Sequence, residues 1–308
     1  MRRIDTHAHM VPGAYTAELS QRGLEPTPPH PSSSGEHLTA SMDRREIDAA
    51  VVCLPPPGVW FEDEALARRL SRLVNEELAS LVRSDPSRFA GLATLPLPIV
   101  DAALEEISYA LDTLGLDGIA LPSQVAGTYL GDPVFDPVVA ELDRRGAYVY
   151  LHPVGPAAPT PLPHVPAWVQ EFPFDTTRAL VNLIYSGTLE RSPRIRLQVP
   201  HLGGAAPFLA GRLAQWVERE PDRAELAPAG AVAYLRRLYY DTGLTNDPVA
   251  LAAVRALAGI ERVTFGSDWP FLTTPDGVDP MTALGLTGHE LEAVACQNAL
   301  ALVPRLRS

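Results

Sequence analysis

The chain has 308 residues, 46% hydrophobic and 20% charged, an ordinary globular composition and a length that suits one large α/β barrel or two smaller domains. Its 25 basic residues face 37 acidic ones, a net charge of −12, and a field of that sign argues against nucleic acid or an anionic membrane as a partner. All 25 basic residues are arginine, so neither a Schiff-base lysine nor a carboxylated lysine bridging two metals is available.

In chain order, the first β-rich run is RIDTHAHM (3–10), followed by a Pro- and Ser-rich stretch that includes GLEPTPPHPSSSGEH (23–37). A second run, AAVVCLP (49–55), leads into 62–84, where Leu66, Leu70, Leu73, Leu78 and Leu81 recur at helical spacing. Runs three and four are FAGLATLP (89–96) and LDGIALPS (116–123); then 132–146 opens on Asp-Pro and stops at Gly146, a helix with both its signals. Run five, AYVYLHP (147–153), precedes a second Pro-rich stretch, 153–173. The last three runs are IRLQVPHLG (195–203), LYYDTGL (238–244) and VTFGSDWP (263–270). Most of these runs are continuous rather than alternating, as parallel strands covered by helices require. Eight of them alternating with helices predict a single (β/α)8 TIM-barrel domain over residues 1–308, with loop insertions at about 11–37 and 153–173. No GxGxxG follows the first run, which disfavours a doubly wound sheet.

No apolar run is long enough to span a bilayer, and the N-terminal residues lack the apolar core of a secretory signal. Cys53 and Cys296 are too few for a disulfide framework and fit a reducing, cytoplasmic compartment.

The polar residues fall at one end of this pattern. His7 and His9, two apart, share a strand face; His152 ends run five, His201 closes run six and Asp268 ends run eight. Taken singly, each has a plain structural reading: His152 and His201 as turn residues, Asp268 as a helix cap. Together, four of eight histidines and an aspartate at C-terminal strand ends describe a catalytic metal site, zinc by its histidine content, with manganese open.

The ordered set DTHAHM, LHP, HLGG and FGSDWPF resembles the metal-dependent decarboxylase branch of the amidohydrolase superfamily, which includes amino-carboxymuconate-semialdehyde, γ-resorcylate and 6-methylsalicylate decarboxylases. The resemblance runs almost the whole chain, through FPFDTTRALVNLIYSGTLERSPRIRL (172–197) and PFLAGRL (207–213). It implies a divalent metal, Zn2+ or else Mn2+, on His7, His9, His152 and Asp268, with His201 as catalytic histidine facing the metal site. It further implies that Arg212 holds a substrate carboxylate in the neighbouring subunit of a homodimer, and that Trp168 and Phe271 line the pocket. The branch's other substrate arginine is missing: Leu38 stands near its place, with His37, Arg44 and Arg45 nearby.

The implied activity is non-oxidative decarboxylation of a small aromatic, salicylate-type or enolic carboxylic acid. The candidate proton donor is Asp268, assisted by His201, or else a metal-bound water. The rival use of the same residues is hydrolysis of a lactone or amide by metal-activated water.

Overall fold

The computed structural model describes residues 1–25, 33–155, 162, 164–271 and 280–307. Eight parallel strands form one sheet in sequence order: β1 (Ile4–His9), β2 (Ala49–Cys53), β3 (Phe89–Thr94), β4 (Gly118–Pro122), β5 (Tyr148–His152), β6 (Arg196–Val199), β7 (Tyr239–Asp241) and β8 (Val263–Thr264). The sheet closes where the chain after β8 runs beside β1. Thr6 N donates to Phe265 O, Asp268 N to His7 O and His9 N to Trp269 O, each at 2.8 Å. The predicted (β/α)8 barrel is therefore the observed architecture, with every expected run containing one strand.

Two cores explain why the strands are apolar on both faces. Inside the barrel lie Ile4, Val51, Leu92, Tyr148 and Tyr150, closed from below by Leu302, Val303 and Leu306. Outside it, residues such as Ala8, Val52, Ile119, Val149 and Val199 meet the surrounding helices.

The helices follow their sequence signals. In α1 (Gly13–Gln21), Tyr15 and Leu19 are buried. Ser34 caps α2 (Gly35–Arg44). Asp63 caps α3 (Glu64–Ser84), accepting from Leu66 N at 2.9 Å, and Leu66, Leu70, Val74 and Leu78 face the sheet. After α4 (Val100–Ser108) comes α5 (Asp136–Arg145), which ends at Gly146 with φ 58°, a left-handed cap that glycine adopts without a steric cost. Then follow α6 (Ala167–Tyr185), α7 (Ala206–Arg219) and α8 (Pro248–Ala258).

The expected loop boundaries are too wide. The stretch 11–37 contains all of α1 and the start of α2, and 153–173 contains the first turns of α6, with Pro173 inside that helix. The rest of both predicted insertions lies partly outside the described residues, at 26–32, 156–161 and 163. No helix among the described residues is long and apolar enough to cross a membrane.

The bottom of the barrel is locked by Arg305. Its guanidinium forks onto Asp117 at 2.6 and 2.8 Å and donates to Phe89 O at 2.6 Å, joining the C-terminal segment to the starts of β3 and β4. Arg305→Ala strips a mostly buried carboxylate of its partner. It should lower stability by about 1–3 kcal/mol in urea unfolding while leaving the chemistry at the opposite face unchanged. An equal loss of turnover at full folding would contradict that division.

Candidate metal centre

Closure of the barrel brings the predicted ligands together. His7, His9, His152 and Asp268 are all buried, and their ligand atoms lie within 4.8 Å of one another at the C-terminal ends of β1, β5 and β8. His7 and His9 do share the interior: their Nε2 atoms are 3.1 Å apart, and Asp268 Oδ1 lies 3.2 Å from His7 Nε2 and 3.0 Å from His9 Nε2. The second oxygen, Asp268 Oδ2, lies 3.2 Å from His201 Nε2. Asp268 itself has φ 59°, and His201 and Leu202 have φ 55° and 51°. Such left-handed non-glycine residues cost about 1–3 kcal/mol each and persist only where the surroundings impose them.

Each clustered histidine is held from behind through Nδ1. His7 Nδ1 meets Asp241 Oδ1 at 3.0 Å, His9 Nδ1 meets Cys53 Sγ at 3.4 Å and His152 Nδ1 meets Pro153 O at 2.8 Å. A carbonyl and a carboxylate can only accept, so the Nδ1 atoms of His7 and His152 carry hydrogen, which leaves Nε2 of each as the ligand atom facing inward. His152 Nε2 is buried with no partner, an orphaned lone pair aimed at the cluster. Three imidazoles oriented by outer partners, plus one carboxylate, are the donor set of a divalent-metal site, and these residues fit such an ion.

The electrostatics agree. Burial pushes His7 down, but the carboxylates of Asp268 and Asp241 outweigh it and hold the ring well above its usual range, so that position favours a cation. Burial, reinforced by His9 and His7, holds His152 well below its usual range and keeps it neutral. Burial opposes ionisation of Asp268, yet His7, His201 and His9 hold its carboxyl well below the usual range. A third buried carboxylate, Asp5, is raised to about 6 by burial. It is tempered by Ser267 Oγ at 2.5 Å and by the backbone N–H groups of His7 and Ser267.

The predicted substrate contacts divide. The Phe271 ring sits 5.9 Å from that of His9, beside the cluster. Trp168 is 48% exposed on the first turn of α6, and Arg212 is exposed on α7; neither joins the cluster within this chain. Leu38 is fully buried in the outer core, while His37 and Arg44 are exposed and the Arg45 carbonyl accepts from Arg3 at 3.1 Å.

Three features went unread in the sequence. Asp241, ending β7, accepts from His7 Nδ1, from Gly243 N at 2.9 Å and from His201 N at 3.2 Å; its place at a strand's C-terminal end was the available signal. Cys53 backs His9, and nothing in its sequence context distinguishes it from a core residue. Beside His152 opens an apolar cavity of about 240 Å3, walled by Pro57, Trp60, Leu95, Leu97, Leu121 and Val125. Its lining comes from the ends of and loops after four different strands, β2 to β5, which no local motif records.

Gly243 leaves no room for a side chain: a β-carbon there would lie against His7 Nδ1 and Asp241 Oδ1. Gly243→Ala should therefore displace His7 and weaken divalent-metal binding at least tenfold with an unchanged far-ultraviolet circular dichroism spectrum, as chelator competition would measure.

Comparison with known proteins follows the same lines. The amidohydrolase family model matches residues 4–305. The chain is 32% identical to the decarboxylase yanB of Aspergillus niger, over 100% of this chain and 89% of that one. It is also 32% identical to the 6-methylsalicylic acid decarboxylase of Penicillium expansum, over 88% and 85% respectively. Among solved structures, one titled amidohydrolase II superposes with a TM-score of 0.88 at 28% identity, covering 98% of this chain and 99% of that one. With nearly its whole length matched and its histidines and aspartate gathered at the C-terminal face of a barrel, this chain belongs to the amidohydrolase family.

Proposed function

We propose that this chain, as one barrel domain, is a metal-dependent non-oxidative decarboxylase, a carbon–carbon lyase acting on a small aromatic carboxylic acid of the salicylate type. The observation that carries the reading is the convergence of His7, His9, His152 and Asp268 beside an apolar cavity, with His201 on the second oxygen of Asp268. Its similarity over most of its length to decarboxylases, one of them named for 6-methylsalicylic acid, supports the same choice.

His7, His9, His152 and Asp268 would hold the ion; we assign Zn2+ from the predominance of imidazole, with Mn2+ the alternative. When bound, it supplies a Lewis acid that orients a carboxylate and its neighbouring phenolic oxygen. The protein's own part is the proton. Asp268 Oδ2 and His201 Nε2, 3.2 Å apart, share it, and Asp268 delivers it to the substrate. The ring carbon bearing the carboxylate takes this proton with a pair of ring electrons. The C–C bond then breaks, its pair restores the aromatic ring, and CO2 leaves. Phe271 and the walls of the cavity stack on the ring and exclude water.

Purified protein should contain about one divalent ion per chain, and chelation should abolish CO2 release from salicylate-type acids. Because His7 is held protonated without metal, binding should expel about one proton and strengthen as pH rises through its raised pKa. Calorimetry in buffers of different ionisation enthalpy measures this. Asp268→Asn should abolish CO2 release in an otherwise folded protein. Metal present with no CO2 from any acid would instead favour lactone or amide hydrolysis.

A homodimer belongs to the proposal. Phe208 is 85% exposed, and Trp168, Phe174 and Trp216 are each at least 39% exposed, on α6 and on α7, the helix that carries Arg212. Large apolar exposure of this kind marks an interface. Arg212→Ala should leave the dimer intact in light scattering and raise KM for the acid about tenfold or more. An unchanged KM would remove Arg212 from the substrate site. The two buried thiols, Cys53 and Cys296, are unpaired, which suits the cytoplasm.

A further inference from the structure

The segment FPFDTTR (172–178) is the most chemically loaded part of α6, yet it supplies no ligand to the metal cluster and no wall to the cavity, and touches the cluster only through Phe172, whose ring stands edge-on to His152 at 6.4 Å. Its buried residues instead grip the two loops that carry His152 and His201.

Asp175 is 2% exposed and fully engaged. Its Oδ2 accepts from Val154 N and Gly155 N, both at 3.1 Å, and from Ser123 Oγ; its Oδ1 accepts from Tyr129 Oη at 2.6 Å. The peptide between Pro153 and Val154 is the telling unit. Its N–H donates to Asp175, and its carbonyl accepts from His152 Nδ1 at 2.8 Å. That one rigid plane transmits the position of Asp175 to the imidazole.

Thr177 grips the other side. Its hydroxyl donates to Pro173 O at 2.8 Å and accepts from Ala205 N at 2.9 Å. Ala205 ends the run His201–Gly204, four consecutive residues with φ between 51° and 78°. A β-carbon at Gly204 would run into Pro173 O, so this turn packs directly on the same turn of α6. At its other end the run is pinned by Asp241, which accepts from His201 N. A backbone this strained needs both anchors.

We propose that Asp175 and Thr177 form a two-armed brace, positioning His152 and His201 independently from a single turn of α6. Neither is a catalytic residue. The proposal rests on the reading of His152 as a metal ligand and His201 as the proton-transfer partner, and it separates the two arms by what each should change. Asp175→Ala should weaken Zn2+ binding about 10- to 100-fold in competition with a chromophoric chelator. Should that variant not fold, Asp175→Asn, isosteric but offering a neutral acceptor, reads the same arm at about three- to tenfold. Tyr129→Phe removes a bond to the other oxygen of Asp175. It should lower Tm and leave Zn2+ affinity within about twofold, which a merely structural role for Asp175 would not distinguish. Thr177→Val should keep Zn2+ affinity within about twofold while lowering kcat for a salicylate-type acid about tenfold at unchanged KM, and Thr177→Ser should restore it.

Unchanged Zn2+ affinity in the Asp175 variants, or a parallel loss of metal in the Asp175 and Thr177 variants, overturns the brace. Failure of the functional reading would look different: wild-type protein that binds Zn2+ but releases no CO2. The Zn2+ measurements on Asp175→Ala and Thr177→Val would still decide between two arms and none.

Discussion

Everything at the C-terminal face depends on the seam where the two ends of the sheet meet. Three backbone hydrogen bonds join the chain after β8 to β1, and one of them is donated by Asp268 itself to the carbonyl of His7. A carboxylate and two imidazoles that are about 260 residues apart in sequence thus become neighbours through the same bonds that close the barrel. Metal site and fold share one constraint, so the geometry of the ligands is as rigid as the sheet. A small barrel that failed to close would lose its chemistry before it lost most of its helices.

That seam is also the most expensive part of the interior. Asp5, Asp241 and Asp268 are all buried within reach of His7, and isolated carboxylates there would carry several kcal/mol each in desolvation. The structure offsets this with donors rather than with arginines: backbone N–H groups of His7, His201, Gly243 and Ser267, hydroxyls, and the Gln198 amide on Asp241 at 2.9 Å. What remains is a surplus of negative charge around His7, which a proton or a divalent cation satisfies. The strand that ends in Asp268 gains from that carboxylate only when such a cation is present.

Much of this was legible in the sequence for a specific reason. In a parallel barrel, chemistry collects at one end of every strand, so His7, His9, His152, His201 and Asp268 could be recognised by their offset from eight apolar runs. What was not legible depends on contacts between distant segments. Asp241 looked like the polar end of a strand until His7 and His201 arrived at its two sides. Helix α1 hid inside a Pro- and Ser-rich stretch because its apolar residues, Tyr15 and Leu19, are too few to set a period. Trp168 and Arg212 carried expectations of substrate contact, yet both are exposed and neither joins the cluster within this chain.

The cavity beside His152 has one more consequence. Among the described residues its lining contains no arginine and no acid, and His152 is its single titratable group. An anionic acid is therefore held there by charge from outside the cavity wall, while the decarboxylated product has lost its carboxylate and keeps the phenolic oxygen and apolar contacts. Substrate and product thus differ in charge, so loss of CO2 also loosens the grip on what is left.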